Sequence, residues 1–329
     1  RIIYPQRYLG RGMAINALIV AVSSAAGPTV AAAILAVASW KWLFLINVPA
    51  GALALLFALR FLPDNPQKTT GQRFDVLSAI MNALTFGLLL SALSGAAQGQ
   101  DYRIILAELL GLLIVGTLFI RRQLTMTSPL LPVDLLRIPI FSLSICTSVC
   151  SFLAQMLAMV SLPFFLQSVI GRSEVETGLL LTPWPLATMI MSPIAGRLLE
   201  RFHAGLLGGI GLAIFAVGLF ALAWLPAAPG DGDIIWRMVL CGAGFGLFQS
   251  PNNHTIISAA PRHRSGGASG MLGTARLLGQ TSGAALVALM FNLFGQHGTH
   301  ASLLLAGLFS SVAALFSLSR MRQPAHGGQ

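Results

Sequence analysis

Two charged residues lie inside long apolar stretches of this sequence, and their surroundings define the chemistry that they could do. Arg276 lies ten residues after Gly266, about 15 Å along a helix that rises about 1.5 Å per residue. Glu108 is the only carboxylate inside an apolar stretch. A charge in hydrocarbon costs at least about 2.5–3.5 kcal/mol, so such residues face protein or water and take part in binding or proton transfer. Arg276 therefore predicts an interior partner or a bound group, and Glu108 predicts a group that pairs or exchanges a proton.

A second group of polar residues ends another apolar stretch. The run Gln249-Ser250-Pro251-Asn252-Asn253-His254 places two amides and an imidazole after a proline. These groups are costly in hydrocarbon unless they face protein or a water-filled cavity. Two interpretations stay open: a cavity or inner gate, and capping of a helix end near the membrane surface. The sequence contains no phosphate loop, zinc-ligand spacing, nucleophile elbow or dinucleotide fingerprint, so we predict no catalytic residues, no metal site and no enzyme.

The stretches that carry these residues are apolar enough to cross a membrane. Hydrophobic residues make up 55% of the 329-residue chain and charged residues only 9%, whereas soluble domains carry roughly 25% charged residues. The apolar runs lack the alternation of barrel strands and approach the roughly 20 residues that span a bilayer. We therefore predict an all-α polytopic membrane protein. Its ten helices are expected at about 13–38, 42–62, 75–97, 103–121, 139–169, 177–200, 205–226, 233–257, 266–294 and 301–320.

The basic residues orient these helices. Of the 20 Lys and Arg residues, fifteen fall in one set of predicted loops and tails, Arg320 among them, and four fall in the other set. Cytoplasmic loops carry the excess of Lys and Arg, so both ends of the chain are expected in the cytoplasm of a cell with a bacterial-type inner membrane. The net charge of +10 is then topological and does not indicate a nucleic-acid partner. The three Cys residues lie within apolar spans and are expected to be packing residues.

One block of sequence carries a family resemblance. Gly27-Pro28 precedes the run Trp40-Lys41-Trp42-Leu43-Phe44-Leu45-Ile46-Asn47-Val48-Pro49-Ala50-Gly51. The arrangement resembles the fifth and sixth helices of the major facilitator superfamily, in its 14-helix drug:proton antiporter branch of EmrB/QacA-like multidrug efflux transporters. There the Gly-Pro element is the antiporter motif, which the resemblance assigns here to Gly27, Pro28, Asn47 and Pro49. Where the family pattern usually has two further glycines, this sequence has Ala31 and Ala32.

Two later segments agree with this resemblance. The run from Phe164 to Gly171 resembles the junction between the first two helices of the carboxy-terminal half. The run Gly196-Arg197-Leu198-Leu199-Glu200-Arg201 is similar to the second copy of the family's cytoplasmic-loop motif, Gly-x-Leu-x-Asp-Arg, and implies a cytoplasmic gate of Gly196, Arg197, Glu200 and Arg201. Ordinary basic charge at a helix end is the other interpretation. The substrate cavity implied by the resemblance is lined by Gln155, Met156, Met159, Trp184, Gln249, Asn252, Asn253, Arg276 and Gln280.

The resemblance covers residues 1–322 and divides the chain. Residues 1–62 would be the last two helices of the amino-terminal six-helix half, 63–138 two extra linker helices and a cytoplasmic link, and 139–329 the carboxy-terminal six-helix half. Four helices would then be missing upstream, with the expected proton-coupling residues. Glu108 would lie on an extra helix outside the transport core.

The function that the resemblance implies is secondary active transport. Two halves would rock about a central cavity and export a lipophilic or cationic small molecule against inward proton flow. The proton gradient replaces a bound cofactor, and the lipid bilayer, protons and a small-molecule substrate are the expected partners, with no protein partner predicted. Two alternatives stay open: a transporter of a specific metabolite in the same fold, which Arg276 favours, and a non-transporting membrane sensor.

Overall fold

The computed structural model describes residues 23, 27, 30, 31, 33–61, 75–126, 129, 131–226, 229–261 and 264–322. This part of the chain is helical and contains no β-strand. The helices are α1 Trp42–Leu45, α2 Asn47–Phe61, α3 Val76–Ala97, α4 Tyr102–Thr125, α5 Pro139–Phe164, α6 Glu174–Leu181, α7 Pro183–Leu198, α8 Ala204–Ala223, α9 Asp231–Ala259, α10 Ser265–Phe294 and α11 Gly298–Ser319. Short helical turns cover Val133–Arg137, Phe165–Val169, Gly295–His297 and Arg320–Arg322.

Local sequence explains most of the helix ends. Asp75 and Asp101 precede α3 and α4, and their carboxylates accept hydrogen bonds from the backbone N–H groups of Ser78 and Arg103. These bonds satisfy donors that the first helical turn leaves without partners. Ser173 begins α6 with a capping box, in which Glu176 returns the hydrogen bond. The predicted helix at 177–200 therefore begins earlier, at Glu174, and it is divided at Thr182 before Pro183.

Seven stretches of described residues have the length and composition of a membrane span. The last one, Ser265–Ser319, is 55 residues long and contains two helices, α10 and α11. Gly295 separates them with a backbone φ of 53°, a conformation that glycine adopts without steric cost. The helix α9 lies outside this set because charged residues at its start and the polar run 249–254 lower its hydropathy. The prediction of an all-α polytopic protein is confirmed, whereas most of the predicted first helix, 13–38, lies outside the described residues.

The helices from α5 to α11 pack into one block. In it α9 contacts α7, α8 and α5, while α11 contacts α8 and α5, and α10 packs along α5. Glycines allow close approach at these crossings: a Cβ atom on Gly279 would lie 2.5 Å from the Val149 carbonyl oxygen, and one on Gly244 would lie 2.5 Å from the Phe215 nitrogen. Membrane helices that pack through small residues bring their backbones together in this way.

The hairpin of α3 and α4 lies against this block through contacts of α3 with α10. At one end of the hairpin the Arg122 guanidinium donates to both carboxylate oxygens of Asp75, at 3.1 Å each. Near the other end Ser91 donates a 2.5 Å hydrogen bond to Glu108 Oε1. In contrast, α2 has no buried residue, so its apolar side chains are exposed in this structure.

Candidate functional site

Arg276 is exposed on α10 and lies at the contact between α10 and α5. Its guanidinium carbon is 5.4 Å from the centroid of the Phe152 ring on α5, within the range of a cation–π interaction. Among the described residues no carboxylate lies within the 4.0 Å of an ion pair with Arg276. The structure thus supports this charge with an aromatic face and leaves its N–H donors accessible.

Most of the other residues predicted to line the cavity are half-buried and lie on α5, α9 and α10. Met156 lies at the α5–α10 contact, because a Cβ atom on Gly283 would lie 2.9 Å from the Met156 Cβ. The half-buried residues of this set are Gln155, Met156 and Met159 on α5, Gln249 and Asn253 on α9, and Gln280 on α10. The helices α5, α9 and α10 contact one another, so the structure brings these amides, thioethers and Arg276 onto adjoining helices.

Trp184 lies in the interior of the block, although the resemblance places it on the cavity. Its side chain is 1% exposed and packs edge to face on Phe215, with ring centroids 5.3 Å apart. Phe215 continues through Phe245 to Phe152, with centroid distances of 5.5 Å at each step. This aromatic chain connects Trp184 to the ring beneath Arg276. The Trp184 Nε1 atom is buried and has no hydrogen-bond partner in the described part of the chain.

Asn252 is fully buried, unlike its neighbours Gln249 and Asn253. Its Nδ2 donates to Ser148 Oγ at 2.7 Å and to the Ser144 carbonyl at 3.3 Å. Its Oδ1 accepts a 2.7 Å hydrogen bond from Arg320 Nη1. The sequence predicts Arg320 only as one of the basic residues of the inner set, at the end of the helix expected at 301–320, whereas in the structure its side chain is 1% exposed. Nothing in the local sequence distinguishes it from the other basic residues that follow apolar spans.

The predicted gate residues lie at the end of α7. Arg197, Glu200 and Arg201 are exposed, and among the described residues Glu200 forms no ion pair with either arginine. A Cβ atom on Gly196 would lie 3.9 Å from Ser250 Oγ, so the end of α7 runs beside the polar segment of α9. The gate itself stays a prediction.

The predicted antiporter motif is only partly described. Gly27 is exposed, and among the described residues no atom outside its own stretch of helix lies within 4 Å of where its Cβ would be. Pro28 lies outside the described residues. Asn47 and Pro49 are exposed at the start of α2. The Asn47 Nδ2 donates to the Leu43 carbonyl at 3.1 Å, which bridges the break between α1 and α2.

Ion pairs at opposite ends of α5 were not predicted from the sequence. Near its start Arg264 binds Asp134 with both terminal nitrogens, one of them 3.0 Å from Oδ1, and these hydrogen bonds lower the pKa of Asp134 below its ordinary value. Beyond its end Arg172 Nη2 lies 2.5 Å from Asp231 Oδ1. These pairs connect the 133–137 turn to the start of α10 and the α5–α6 loop to the start of α9.

Comparison with known proteins identifies the class to which this helical block belongs. Residues 3–284 and 144–327 match the family model of the Major Facilitator Superfamily, and the chain belongs to this family of membrane transporters. It is 72% identical over 324 residues to the uncharacterized transporter YebQ of Escherichia coli K12, covering 98% of this chain and 71% of that protein.

More distant relatives have names that refer to small molecules. The chain is 29% identical over 262 residues to the lincomycin resistance protein LmrB of Listeria monocytogenes, covering 79% of this chain and 55% of that protein. It is 26% identical over 288 residues to the riboflavin transporter RibZ of Clostridioides difficile, covering 88% and 62%. The chain therefore spans less than two thirds of these two relatives.

Solved structures share the fold. A POT family transporter in complex with a thioalcohol-conjugated peptide superposes with a TM-score of 0.63 at 16% identity, covering 97% of this chain and 71% of that one. A POT family transporter in complex with 5-aminolevulinic acid gives a TM-score of 0.61, also at 16% identity, and covers 96% and 70%. At this level of identity the likeness shows the fold alone.

Proposed function

We propose that this chain belongs to a proton-driven exporter of lipophilic or cationic small molecules, in the 14-helix drug:proton antiporter branch of its superfamily. The observation that carries the proposal is the set of adjoining helices α5, α9 and α10, which present Arg276 over Phe152 together with thioethers and amides. The partly exposed thioethers of Met156 and Met159 are flexible and can accommodate varied apolar molecules. The similarity to a lincomycin resistance protein supports export of a drug.

The mechanism in this proposal is alternating access. The block α5–α11 moves as one body against the rest of the transporter, and the face carrying Arg276 opens to one side of the membrane at a time. Proton flow down its gradient replaces any bound cofactor. The protein resides in a bacterial inner membrane with both ends of this chain in the cytoplasm.

The end of α7 serves as the inner gate in this mechanism. Arg197, Glu200 and Arg201 are exposed, so their charges are free to pair with a neighbouring helix when the inner side closes. Contacts of this kind must break when that side opens.

A second function, transport of a specific anionic metabolite, is favoured by one observation. Arg276 is exposed and has no carboxylate within ion-pair distance among the described residues. A guanidinium in this position matches a carboxylate or phosphate geometrically. The similarity to a riboflavin transporter shows that relatives of this chain include a transporter named for a metabolite.

The experiment that tests the proposal uses the product of the complete gene, reconstituted in liposomes under an imposed pH gradient. We expect gradient-dependent movement of ethidium that a protonophore abolishes, and we expect Arg276→Ala to reduce its initial rate at least about tenfold. Arg121→Ala, a change at an exposed residue of α4, is the matched control and should leave the rate unchanged.

The outcomes separate the two functions. Gradient-dependent ethidium movement in the wild type establishes proton-coupled export of a cation. If no cationic dye moves but an anionic dye does, and Arg276→Ala stops it, the anionic-metabolite function replaces the first.

A further inference from the structure

Arg320 is a buried cation without a carboxylate. It is the second largest of the fully buried side chains that the structure describes, and it follows the last residue of α11. Buried charges are normally paired with an opposite charge, because removal from water is costly. No carboxylate lies within ion-pair distance of Arg320 in the described part of the chain, so neutral oxygens must hold the charge.

Those oxygens come from three helices. The Nη1 atom donates to Ser144 Oγ on α5 at 2.9 Å and to Asn252 Oδ1 on α9 at 2.7 Å. The Nε atom donates to the Ser317 carbonyl on α11 at 3.3 Å, and Nη2 donates to Ser317 Oγ. The carbonyl end of a helix carries partial negative charge, so the end of α11 compensates part of the positive charge.

Asn252 links Arg320 to α5 by hydrogen bonds at both ends of its amide. Its oxygen is occupied by Arg320, and its nitrogen donates to Ser148 Oγ and to the Ser144 carbonyl. The amide therefore has one orientation that satisfies both of its ends. Asn252 directly follows Pro251, which lies inside α9 and removes a hydrogen bond from the helix ladder at this point. The adjacent Asn253 and Gln249 are half-buried.

We infer that Arg320 is a positioning residue, which acts through Asn252 to clamp α9 to α5 beside Pro251 and thereby fixes the polar segment 249–254. A role of this clamp in transport rests on the proposed function. The clamp itself rests only on the hydrogen bonds described above. Arginine suits this role because its planar fork donates to several acceptors in fixed directions, whereas the ammonium of lysine is a point charge on a flexible stem.

The test measures the accessibility of the positioned segment without measuring transport. Asn253→Cys is introduced into the product of the complete gene, with Cys146, Cys150 and Cys241 replaced by Ala, and its rate of maleimide labelling is followed in membrane vesicles. We expect Arg320→Lys and Arg320→Met to raise the labelling rate at least about fivefold. Arg121→Met, at an exposed arginine of α4, should not change it.

A double-mutant comparison separates positioning through Asn252 from a general structural role. In an Asn252→Leu background the effect of Arg320→Lys on labelling should be smaller, because the hydrogen bond from Arg320 to Asn252 is already gone and only the contacts with Ser144 and Ser317 are left to lose. Equal effects in both backgrounds, or labelling within twofold of wild type in Arg320→Met, would overturn the inference. If the Arg320 variants do not accumulate, Ser144→Ala decides, since it removes one acceptor side chain: faster labelling supports the clamp and wild-type labelling rejects it.

Failure of this test and failure of the proposed function are distinguishable. The labelling result depends on packing of α5, α9 and α11 and needs no substrate, whereas dye movement in liposomes depends on Arg276 and the proton gradient. If dye moves as proposed but the Arg320 variants are labelled at the wild-type rate, the proposed function holds and the clamp is rejected.

Discussion

At the residue scale, two arginines near the same helices have opposite surroundings. Arg276 is exposed and lies over the Phe152 ring, while Arg320 is buried and each of its three nitrogens donates to a neutral oxygen. A guanidinium whose donors are occupied by the protein cannot also bind a substrate. The site for a transported molecule is therefore expected at Arg276, and Arg320 is expected to hold structure around it.

Trp184 gives a residue-scale prediction for stability. Trp184→Ala removes a buried ring that packs on Phe215 and should lower the free energy of unfolding by about 3–5 kcal/mol. Trp184→Phe should cost less, because it keeps an aromatic ring there and removes an indole N–H that lacks a partner among the described residues. Thermal unfolding in detergent measures both variants.

The matched control is Trp224→Ala, at a tryptophan that is 66% exposed. It should change stability by less than about 1 kcal/mol, since surface substitutions are usually small in effect. Equal losses for Trp184→Phe and Trp184→Ala would contradict the expectation that an aromatic ring at this position preserves the packing on Phe215.

At the element scale, glycines set the spacing of the helices. The helices α8 and α9 meet at Gly211 and Gly244, where a Cβ atom on either glycine would lie within 3 Å of backbone atoms of the other helix. Backbone atoms cannot move aside as the end of a flexible side chain can. The spacing of this helix pair therefore depends on the absence of a side chain at Gly211 and Gly244. The position of the aromatic chain between α5, α8 and α9 depends on it as well.

Gly244→Ala tests this dependence. The added methyl group would meet the Phe215 nitrogen and the Gly211 carbonyl, so we expect a loss of about 1–3 kcal/mol, as for other overpacked interiors. Gly273→Ala in α10 is the control, because in the described part of the chain no atom beyond its own helix lies within 4 Å of the added methyl group. It should be neutral or stabilise its helix by up to about 1 kcal/mol. Chemical denaturation of the purified protein compares the two.

The hairpin of α3 and α4 gives a prediction about pH. Hydrogen bonds from the Ser78 hydroxyl, from Arg122 and from the Ser78 backbone lower the pKa of Asp75 from 3.8 to about 2. Because the folded-state pKa lies below the unfolded value, the contribution of Asp75 to stability is complete above pH 3.8 and is lost as the pH falls toward about 2. The contribution of Asp75 to the stability of the hairpin should thus stay constant between neutrality and about pH 4.

Asp75→Asn measures this contribution. The variant should unfold more easily than wild type at neutral pH, and the difference should shrink as the pH falls from 3.8 toward 2. Hydrogen exchange of the α3 and α4 amides provides the measurement. A difference that persists undiminished at the lowest pH would mean that the charge of Asp75 is not what stabilises the hairpin.

At the scale of the whole molecule, orientation in the membrane depends on charge. The predicted inner loops and tails hold fifteen basic residues, against four in the outer set. Even if the buried Arg320 is not counted, fourteen are left in the inner set. The asymmetry that predicts orientation is therefore preserved. The loop after α5, whose Arg172 pairs with Asp231 at the start of α9, is expected to face outward, and the end of α7 is expected to face the cytoplasm.

Single cysteines test this orientation. Glu174→Cys and Phe202→Cys replace exposed residues at opposite ends of the α6–α7 segment, in a background where Cys146, Cys150 and Cys241 are Ala. In intact cells a membrane-impermeant maleimide should label Glu174→Cys and not Phe202→Cys, and permeabilisation should make both react. The reverse pattern would place the ends of this chain outside the cytoplasm.

Much of the fold follows from the sequence because its determinants are local. A run of about 20 apolar residues needs an internally hydrogen-bonded backbone in a membrane wherever it occurs, so the helices from 42 onward were predicted within a few residues. Their ends follow from nearby groups, such as Asp75 and Ser173. The family was identified from its sequence pattern for the same reason, and the match to the Major Facilitator Superfamily confirmed it.

The surroundings of the individual polar residues were decided only by the tertiary structure. Arg320 binds Ser144, which is 176 residues away, and Asn252, which is 68 residues away. Local sequence does not specify such pairs, because burial of a side chain at a helix end depends on which other helices reach it. The sequence therefore determined how many polar and charged groups this membrane protein must accommodate, and the packing of α5, α9 and α11 determined which of them is buried and which stays accessible.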